Sequence, residues 1–105
     1  MLRLGPLVET HERFPKRTNV QLVRVDNPSE LTVGVWERGA GETLSSGTSA
    51  VAASAAAVAN GWCESPVTVH LAGGDLLVEL ADGEARLTGP AEEICLVELA
   101  EEFVL

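Results

Sequence analysis

The chain has 105 residues, a formal net charge of −9 and 46% hydrophobic residues. This balance is typical of one small globular domain and excludes an intrinsically disordered tail. The acidic excess argues against a nucleic acid partner, because phosphate binding needs a face rich in Lys and Arg. Cys63 and Cys95 are too few for a disulfide framework or a zinc ligand set, so we expect no metal and two reduced thiols in a cytoplasmic protein.

No membrane segment is predicted along the chain. The first residues contain no apolar run long enough for a signal peptide. Residues 43–63 carry no charge, but most of them are Ala, Ser, Gly and Thr, which favour lipid only weakly. We therefore expect a single domain without a membrane partner.

Most of the chain is predicted to form strands. Apolar or alternating residues bounded by turn residues predict strands at 19–25, 31–36, 67–71, 75–80, 84–88 and 94–99. Asp82-Gly83 suits a tight turn with positive φ values, so residues 75–88 are interpreted as a hairpin. Residues 100–105 either extend the sixth strand or fray.

One helix is predicted, at residues 49–60. It is rich in Ala, the best helix former, and Asn60-Gly61 is a stop signal. Because the helix lacks a charged face, we expect it to be buried on all sides. This predicts an α+β fold in which strands wrap around a central helix of small residues. An ordinary helix that lies on a sheet with a Ser-rich face in water is the alternative.

Residues 36–49, here called the helix entrance, carry the side chains best suited to chemistry. Glycines at three positions permit tight turns and close approach of a ligand, and several hydroxyls can cap the helix. The unpaired amides of the first helical turn favour an anion such as a carboxylate. Arg38 can add a bidentate contact to a carboxylate, and Glu37 can take an ammonium. These pieces suit an amino acid, although a surface ion pair beside an ordinary helix cap gives the same pattern.

Three separated segments of the chain, at 5–20, 36–48 and 71–91, carry the motifs of one protein family. Residues 36–48 (WERGAGETLSSGT) resemble the second catalytic motif of diaminopimelate epimerase. Residues 5–20 carry its Gly-Pro, Glu-x-His, Phe-Pro and Thr-Asn-Val landmarks, and its Gly-Gly turn and Thr-Gly-Pro-Ala segment match residues 71–76 and 87–91. Because the landmarks follow in order over nearly the whole chain, the resemblance is specific.

The resemblance implies a fold and an activity. Members of the family interconvert LL- and meso-2,6-diaminopimelate without a cofactor, on the route to lysine and peptidoglycan. Two similar domains each wrap strands around a central helix, and the substrate binds between them. Residues 1–105 would then be the C-terminal part of such a protein, an incomplete domain that lacks the whole first domain.

The same resemblance assigns roles to individual residues. Asn19 would hold the distal amino-acid end of the substrate, and Glu37 and Arg38 would bind its ammonium and carboxylate. Gly47 and Thr48 would offer backbone amides to the carboxylate of the reacting centre.

The chain departs from the family pattern at its catalytic cysteines. Removal and return of an α-proton needs an acid or base on each face, and the family uses one cysteine from each domain. Ser46 stands at the position of the second cysteine, and a hydroxyl is a poor base without an activating neighbour. We expect His11 and His70 at the surface or on a sheet face, and Cys63 and Cys95 as buried structural thiols.

Three hypotheses follow for the function. The first is an isomerase fragment that is inactive alone. Its partner would be a chain that carries the missing first half, or a second copy of itself in a homodimer. The second is a non-catalytic module that binds an amino acid. The third is an isomerase or dehydratase of the same fold that uses Ser46 as its acid.

Overall fold

The computed structural model describes residues 1–103 of the chain. Two helices and six strands lie along it in this order: α1 (Leu4–Glu9), β1 (Val20–Asn27), β2 (Glu30–Glu37), β3 (Gly41–Thr43), α2 (Gly47–Ala59), β4 (Val67–Leu71), β5 (Gly74–Ala81) and β6 (Glu84–Thr88). A short 3-10 turn covers Glu101–Phe103. Five of the six predicted strands are confirmed, and α1 and β3 are elements that the sequence analysis missed.

The strands form one mixed sheet in the order β1-β2-β4-β5-β6, and β3 also pairs with β2. The β2–β4 pair is parallel, whereas the other pairs are antiparallel. Parallel neighbours need a long crossover connection, and here α2 provides it. The hairpin between β5 and β6 turns at Asp82 (φ 53°) and Gly83 (φ 76°), as predicted from the Asp-Gly dipeptide. The α+β class is therefore confirmed.

The core lies between α2 and one face of the sheet. Alternate residues of three strands are buried there: Leu31, Val33 and Val35 of β2, Val67, Val69 and Leu71 of β4, and Val78 of β5. Residues at helical spacing face them from α2: Ser49, Ala50, Ala53, Ser54 and Ala57. Because these helical side chains are small, the helix can approach the sheet closely.

The expectation that α2 is buried on all sides is wrong for this chain. The helix contacts β1, β2, β4, β5 and β6 with one face only. Its other face, which includes Ala52, Ala55, Ala56 and Ala59, is exposed. The alternative of an ordinary helix on a sheet is confirmed, but its wet face is not Ser-rich, because Ser49 and Ser54 are buried. Alanine tolerates either environment, so the absence of charge could not distinguish a covered face from an open one.

The predicted strand at 94–99 is also wrong. No residue from 91 to 100 lies in a strand, and Ile94 and Leu96 are 94% and 91% exposed. A strand is stable only when it pairs, and no other strand among residues 1–103 pairs with this segment. Cys95 is consequently exposed, which corrects its expected burial, whereas Cys63 is buried as predicted. Part of the expected extension, residues 104–105, lies outside the described residues.

No helix in the described chain has the length and apolarity that crossing a membrane requires. The uncharged stretch 43–63 contains α2, which has only 13 residues.

His70 lies on the other face of the sheet, between two carboxylates. Its Nδ1 is 2.8 Å from Asp75 Oδ1, and its Nε2 is 2.9 Å from Glu30 Oε1. Both hydrogen bonds raise the pKa of His70, and the bond with Asp75 has the larger effect. Hydrogen bonds from Asn27 and His70 lower the pKa of Glu30, so this carboxylate stays charged where His70 titrates. His11, in contrast, is exposed, and its Nδ1 accepts a hydrogen bond from the Arg13 amide.

The free energy of unfolding should therefore depend on pH through His70. The contribution of His70 to the free energy of unfolding is fully present below its unfolded-state pKa of 6.5. This contribution is lost as the pH rises through the higher folded-state pKa. Urea unfolding from about pH 5.5 to about pH 8.5 should show this loss, and His70→Gln should remove it. His11→Gln is the matched control and should keep the parent's pH dependence. An identical pH dependence in His70→Gln would contradict the assignment.

Candidate functional site

The Glu37–Arg38 pair lies at the tight connection between β2 and β3. β2 ends at Glu37 and β3 begins at Gly41. Gly39 and Gly41 have φ values of 77° and 83°. Residues that carry a Cβ rarely adopt these backbone angles, so glycine is needed in this turn. The abrupt turn places both charged side chains at the end of the sheet.

A polar cavity of about 390 Å³ opens beside this turn. Its lining residues are Arg17, Thr18, Asn19, Glu37 and Arg38. The structure therefore brings together three of the residues predicted to bind an amino acid. The sequence analysis missed the other two, Arg17 and Thr18, although they directly precede Asn19 in the chain. Arg17 has a φ of 62°, which is uncommon for a residue other than glycine.

Hydrogen bonds connect the two segments that line this cavity. Asn19 Oδ1 accepts a hydrogen bond of 2.7 Å from the Arg38 amide. The Arg38 guanidinium donates through Nη1 to the Lys16 carbonyl at 3.4 Å, a long bond that leaves most of its donors free. Glu37 Oε2 is buried and has no hydrogen-bond partner in the described part of the chain. Within residues 1–103, the cavity thus offers guanidinium donors without a partner, and Glu37 in its wall carries a buried oxygen that is also unpaired.

The start of α2 borders a different cavity. Gly47, Thr48, Val51 and Leu87 line a more apolar space of about 480 Å³. A Cβ on Gly47 would lie 2.7 Å from Leu87 Cδ2, so a larger residue would force this contact apart. Thr48 is exposed and Gly47 is half-buried, so side chains do not completely cover the first turn of the helix. This cavity shares no lining residue with the first. The predicted residues therefore form two groups rather than one.

Comparison with known proteins decides the family. The family model described as diaminopimelate epimerase matches residues 1–94. The chain belongs to the diaminopimelate epimerase family. This confirms the resemblance drawn from the three sequence segments.

The relatives are curated diaminopimelate epimerases of bacteria. The protein of Desulfitobacterium hafniense is 56% identical over 90 residues, which are 85% of this chain and 32% of that protein. The protein of Pelotomaculum thermopropionicum is 53% identical over 91 residues, covering 86% of this chain and 32% of the relative. The protein of Bacillus licheniformis is 50% identical over 95 residues, which are 88% of this chain and 33% of that protein. The chain thus spans about one third of the length of the curated relatives it matches.

Ser46, which the sequence resemblance predicts to stand at the position of the family's second cysteine, caps α2. Its backbone is extended (φ −156°, ψ 117°), and its Oγ accepts a hydrogen bond from the Ser49 amide at 3.3 Å. Oγ also lies 3.4 Å from Thr48 Oγ1. Within residues 1–103, no His, Lys, Asp or Glu side chain hydrogen-bonds to Ser46, so no base is in place to activate its hydroxyl.

The two cysteines lie apart from both cavities. Cys63 is 3% exposed, and its Sγ contacts the Asn27 carbonyl oxygen at 3.5 Å. Burial raises the pKa of its thiol, which disfavours the thiolate that a base requires. Cys95 lies in the exposed segment after β6 and lines neither cavity. No group of three or more His, Cys, Asp or Glu residues in the described chain could hold a metal ion.

Loss of the Ser46 cap should destabilise the fold. In Ser46→Ala the Ser49 amide loses its acceptor, and such N-cap losses cost about 1 kcal/mol. Urea unfolding should show a lower midpoint with an unchanged slope. Ser45→Ala, at the neighbouring exposed residue, is the control and should unfold like the parent. Equal midpoints for the two variants would show that Ser46 does not cap the helix.

Proposed function

We propose that this chain is the C-terminal portion of a diaminopimelate epimerase and forms one wall of its substrate site. The complete protein would interconvert LL- and meso-2,6-diaminopimelate without a cofactor, in cytoplasmic lysine and peptidoglycan synthesis. The observation that carries the proposal is the polar cavity in which Asn19, Glu37 and Arg38 meet.

Two separate groups of polar residues suit a ligand with an amino-acid group at each end. In the first cavity, the Arg38 guanidinium would bind a carboxylate and the Glu37 carboxylate would accept from an ammonium. Asn19 Oδ1 is already bonded to the Arg38 amide, which leaves its Nδ2 group for the distal end of the ligand. At the start of α2, the amides of Gly47 and Thr48 would bind the carboxylate at the reacting centre.

The chain by itself should not be a catalyst. Epimerisation needs one group to remove the α-proton and another to return a proton on the opposite face. Cys63 and Cys95 lie elsewhere, and Ser46 is held as a helix cap. Turnover would require a first-half polypeptide that supplies the acid and base groups for proton removal and return. The exposed Ala face of α2 and the exposed apolar residues of 94–99 support such an association.

A non-catalytic amino-acid-binding module is the second candidate. It is favoured because, within residues 1–103, no basic side chain hydrogen-bonds to Ser46 Oγ, and a serine hydroxyl is a weak acid and a poor base without such a neighbour. The same lack of a partner argues against an isomerase or dehydratase that uses Ser46 as its acid. The two remaining candidates share the ligand site and differ in whether the α-proton is exchanged.

Exchange of the α-proton in deuterated water separates these candidates. The chain alone should not exchange the α-proton of LL-diaminopimelate, as followed by proton NMR. The test adds a first-half polypeptide cut from the Desulfitobacterium hafniense relative to the parent chain, to Ser46→Cys and to the control Ser45→Cys. Ser46→Cys should give the fastest exchange, because a helix N-terminus lowers a thiol pKa towards neutrality. No exchange in any arm would reject the epimerase proposal and leave the binding module.

Ligand binding tests the first cavity directly. Titration of diaminopimelate into the chain, with calorimetric or NMR detection, should give a measurable affinity. Arg38→Ala and Glu37→Gln should each weaken it by about tenfold, because each removes a charged hydrogen-bond partner. Arg86→Ala and Glu42→Gln, at exposed residues outside the first cavity, are the matched controls. Equal affinities in all five proteins would contradict the proposed binding site.

A further inference from the structure

The carboxylate of Glu9 lies buried behind the first cavity. Glu9 is the last residue of α1 and is only 7% exposed, the one acidic residue classed as buried in the described part of the chain. Burial of an ionised carboxylate is costly unless hydrogen-bond donors compensate for the lost water. Its partners therefore indicate what the charge is used for.

Two donors meet the two oxygens of Glu9. Oε1 accepts from the Trp36 indole Nε1 at 2.9 Å, and Oε2 accepts from the Gly39 amide at 3.0 Å. The same Oε2 lies 3.8 Å from Arg17 Nη1. The hydrogen bonds from Trp36 and Gly39 lower the pKa of the Glu9 carboxyl despite its burial, so the group is ionised at neutral pH.

These donors are the immediate sequence neighbours of the Glu37–Arg38 pair. Trp36 precedes the pair and Gly39 follows it, so a single carboxylate fixes the chain on both sides. The indole has little freedom, because a Cβ on Gly5 would lie 2.5 Å from its ring and one on Gly41 would lie 3.6 Å from it. The carboxylate also lies close to Arg17, a third charged residue of the cavity.

We propose that Glu9 is a positioning residue that holds Glu37, Arg38 and Arg17 in the geometry required to bind the amino-acid ligand. The identity of the ligand rests on the proposed function, whereas the positioning itself is a property of the free chain. Glu9 does not line the cavity, so it acts through the residues that do.

The arrangement requires a carboxylate and not merely a polar side chain. Both facing groups are N–H donors, and a carboxylate has an acceptor oxygen for each. The side-chain amide of glutamine has the same shape but only one acceptor oxygen. In Glu9→Gln, one donor must face an NH2 group, which leaves a half-buried donor unpaired and displaces the turn.

The test compares Glu9→Gln with Glu12→Gln, an exposed glutamate three residues along the chain. The first measurement needs no ligand: backbone amide signals of the 105-residue chain are recorded by NMR. Glu9→Gln should shift the amides of residues 37–39 and the Trp36 indole signal, and Glu12→Gln should not. The second measurement is titration with diaminopimelate, in which Glu9→Gln should bind about tenfold more weakly, since a half-buried donor loses its partner.

A double-variant cycle separates positioning from general stability. Trp36→Phe removes one of the two donors, so Glu9→Gln should cost less affinity in that background than in the parent. A residue that merely stabilises the fold would lower affinity equally in both backgrounds. If Glu9→Gln does not fold, Trp36→Phe alone carries the test, because it should still shift the amides of Arg38 and Gly39.

Each outcome decides one of the two proposals. Unshifted amides at residues 37–39 in Glu9→Gln, or in Trp36→Phe where it alone folds, would overturn the positioning role. Shifted amides with unchanged affinity would also overturn it. If the parent does not bind diaminopimelate but the amides shift as expected, the ligand assignment fails and the positioning of the pair stands.

Discussion

Pairing around β2 is the constraint on which the rest of the molecule depends. This strand bonds to β1 along one edge, and along the other to β4 near its start and β3 near its end. Its alternation buries Leu31, Val33 and Val35 against α2. A slip of one residue would turn these side chains to the opposite face and displace Glu37 from the cavity. The register that forms the core therefore also places the site.

The site depends on one buried charge as well as on this register. Packing can fix the direction of a strand, but the Glu37–Arg38 pair lies just where the strand ends. At this end of the strand, the chain is held by hydrogen bonds to side chains: Trp36 and Gly39 donate to the Glu9 carboxylate, and the Arg38 amide donates to Asn19. His70, on the outer face, shows the contrasting case of an imidazole between two carboxylates that is remote from both cavities. Carboxylates thus hydrogen-bond across the sheet in one place and bond to the residues that flank the Glu37–Arg38 pair in another.

The exposed surface of the described chain is unusually apolar for a small domain. The chain spans about a third of its curated relatives and keeps an uncovered Ala face on α2 and exposed apolar residues after β6. Such surfaces are typical of sites that associate with another polypeptide. The exposed surfaces, the capped Ser46 and the remote cysteines are consistent with the proposal that the chain forms one wall of a substrate site and needs another polypeptide for catalysis.

The sequence by itself determined the local features. Apolar or alternating residues between turn residues predicted five strands, and Asp82-Gly83 predicted the hairpin turn. The alanine run predicted α2 to within two residues at its start and one at its end. The motif at residues 36–48 identified the family, and it singled out the charged pair that proves to line the first cavity.

Only the tertiary structure decided what those features contact. Strand propensity in 94–99 could not be realised without a pairing strand, and alanine is compatible with both exposed and buried helix faces. Arg17 and Glu9 carry no sequence pattern that links them to Glu37, because they are distant along the chain. They meet the charged pair only because α1 and the start of β1 lie beside the end of β2, where Glu9 can accept from Trp36 and Gly39.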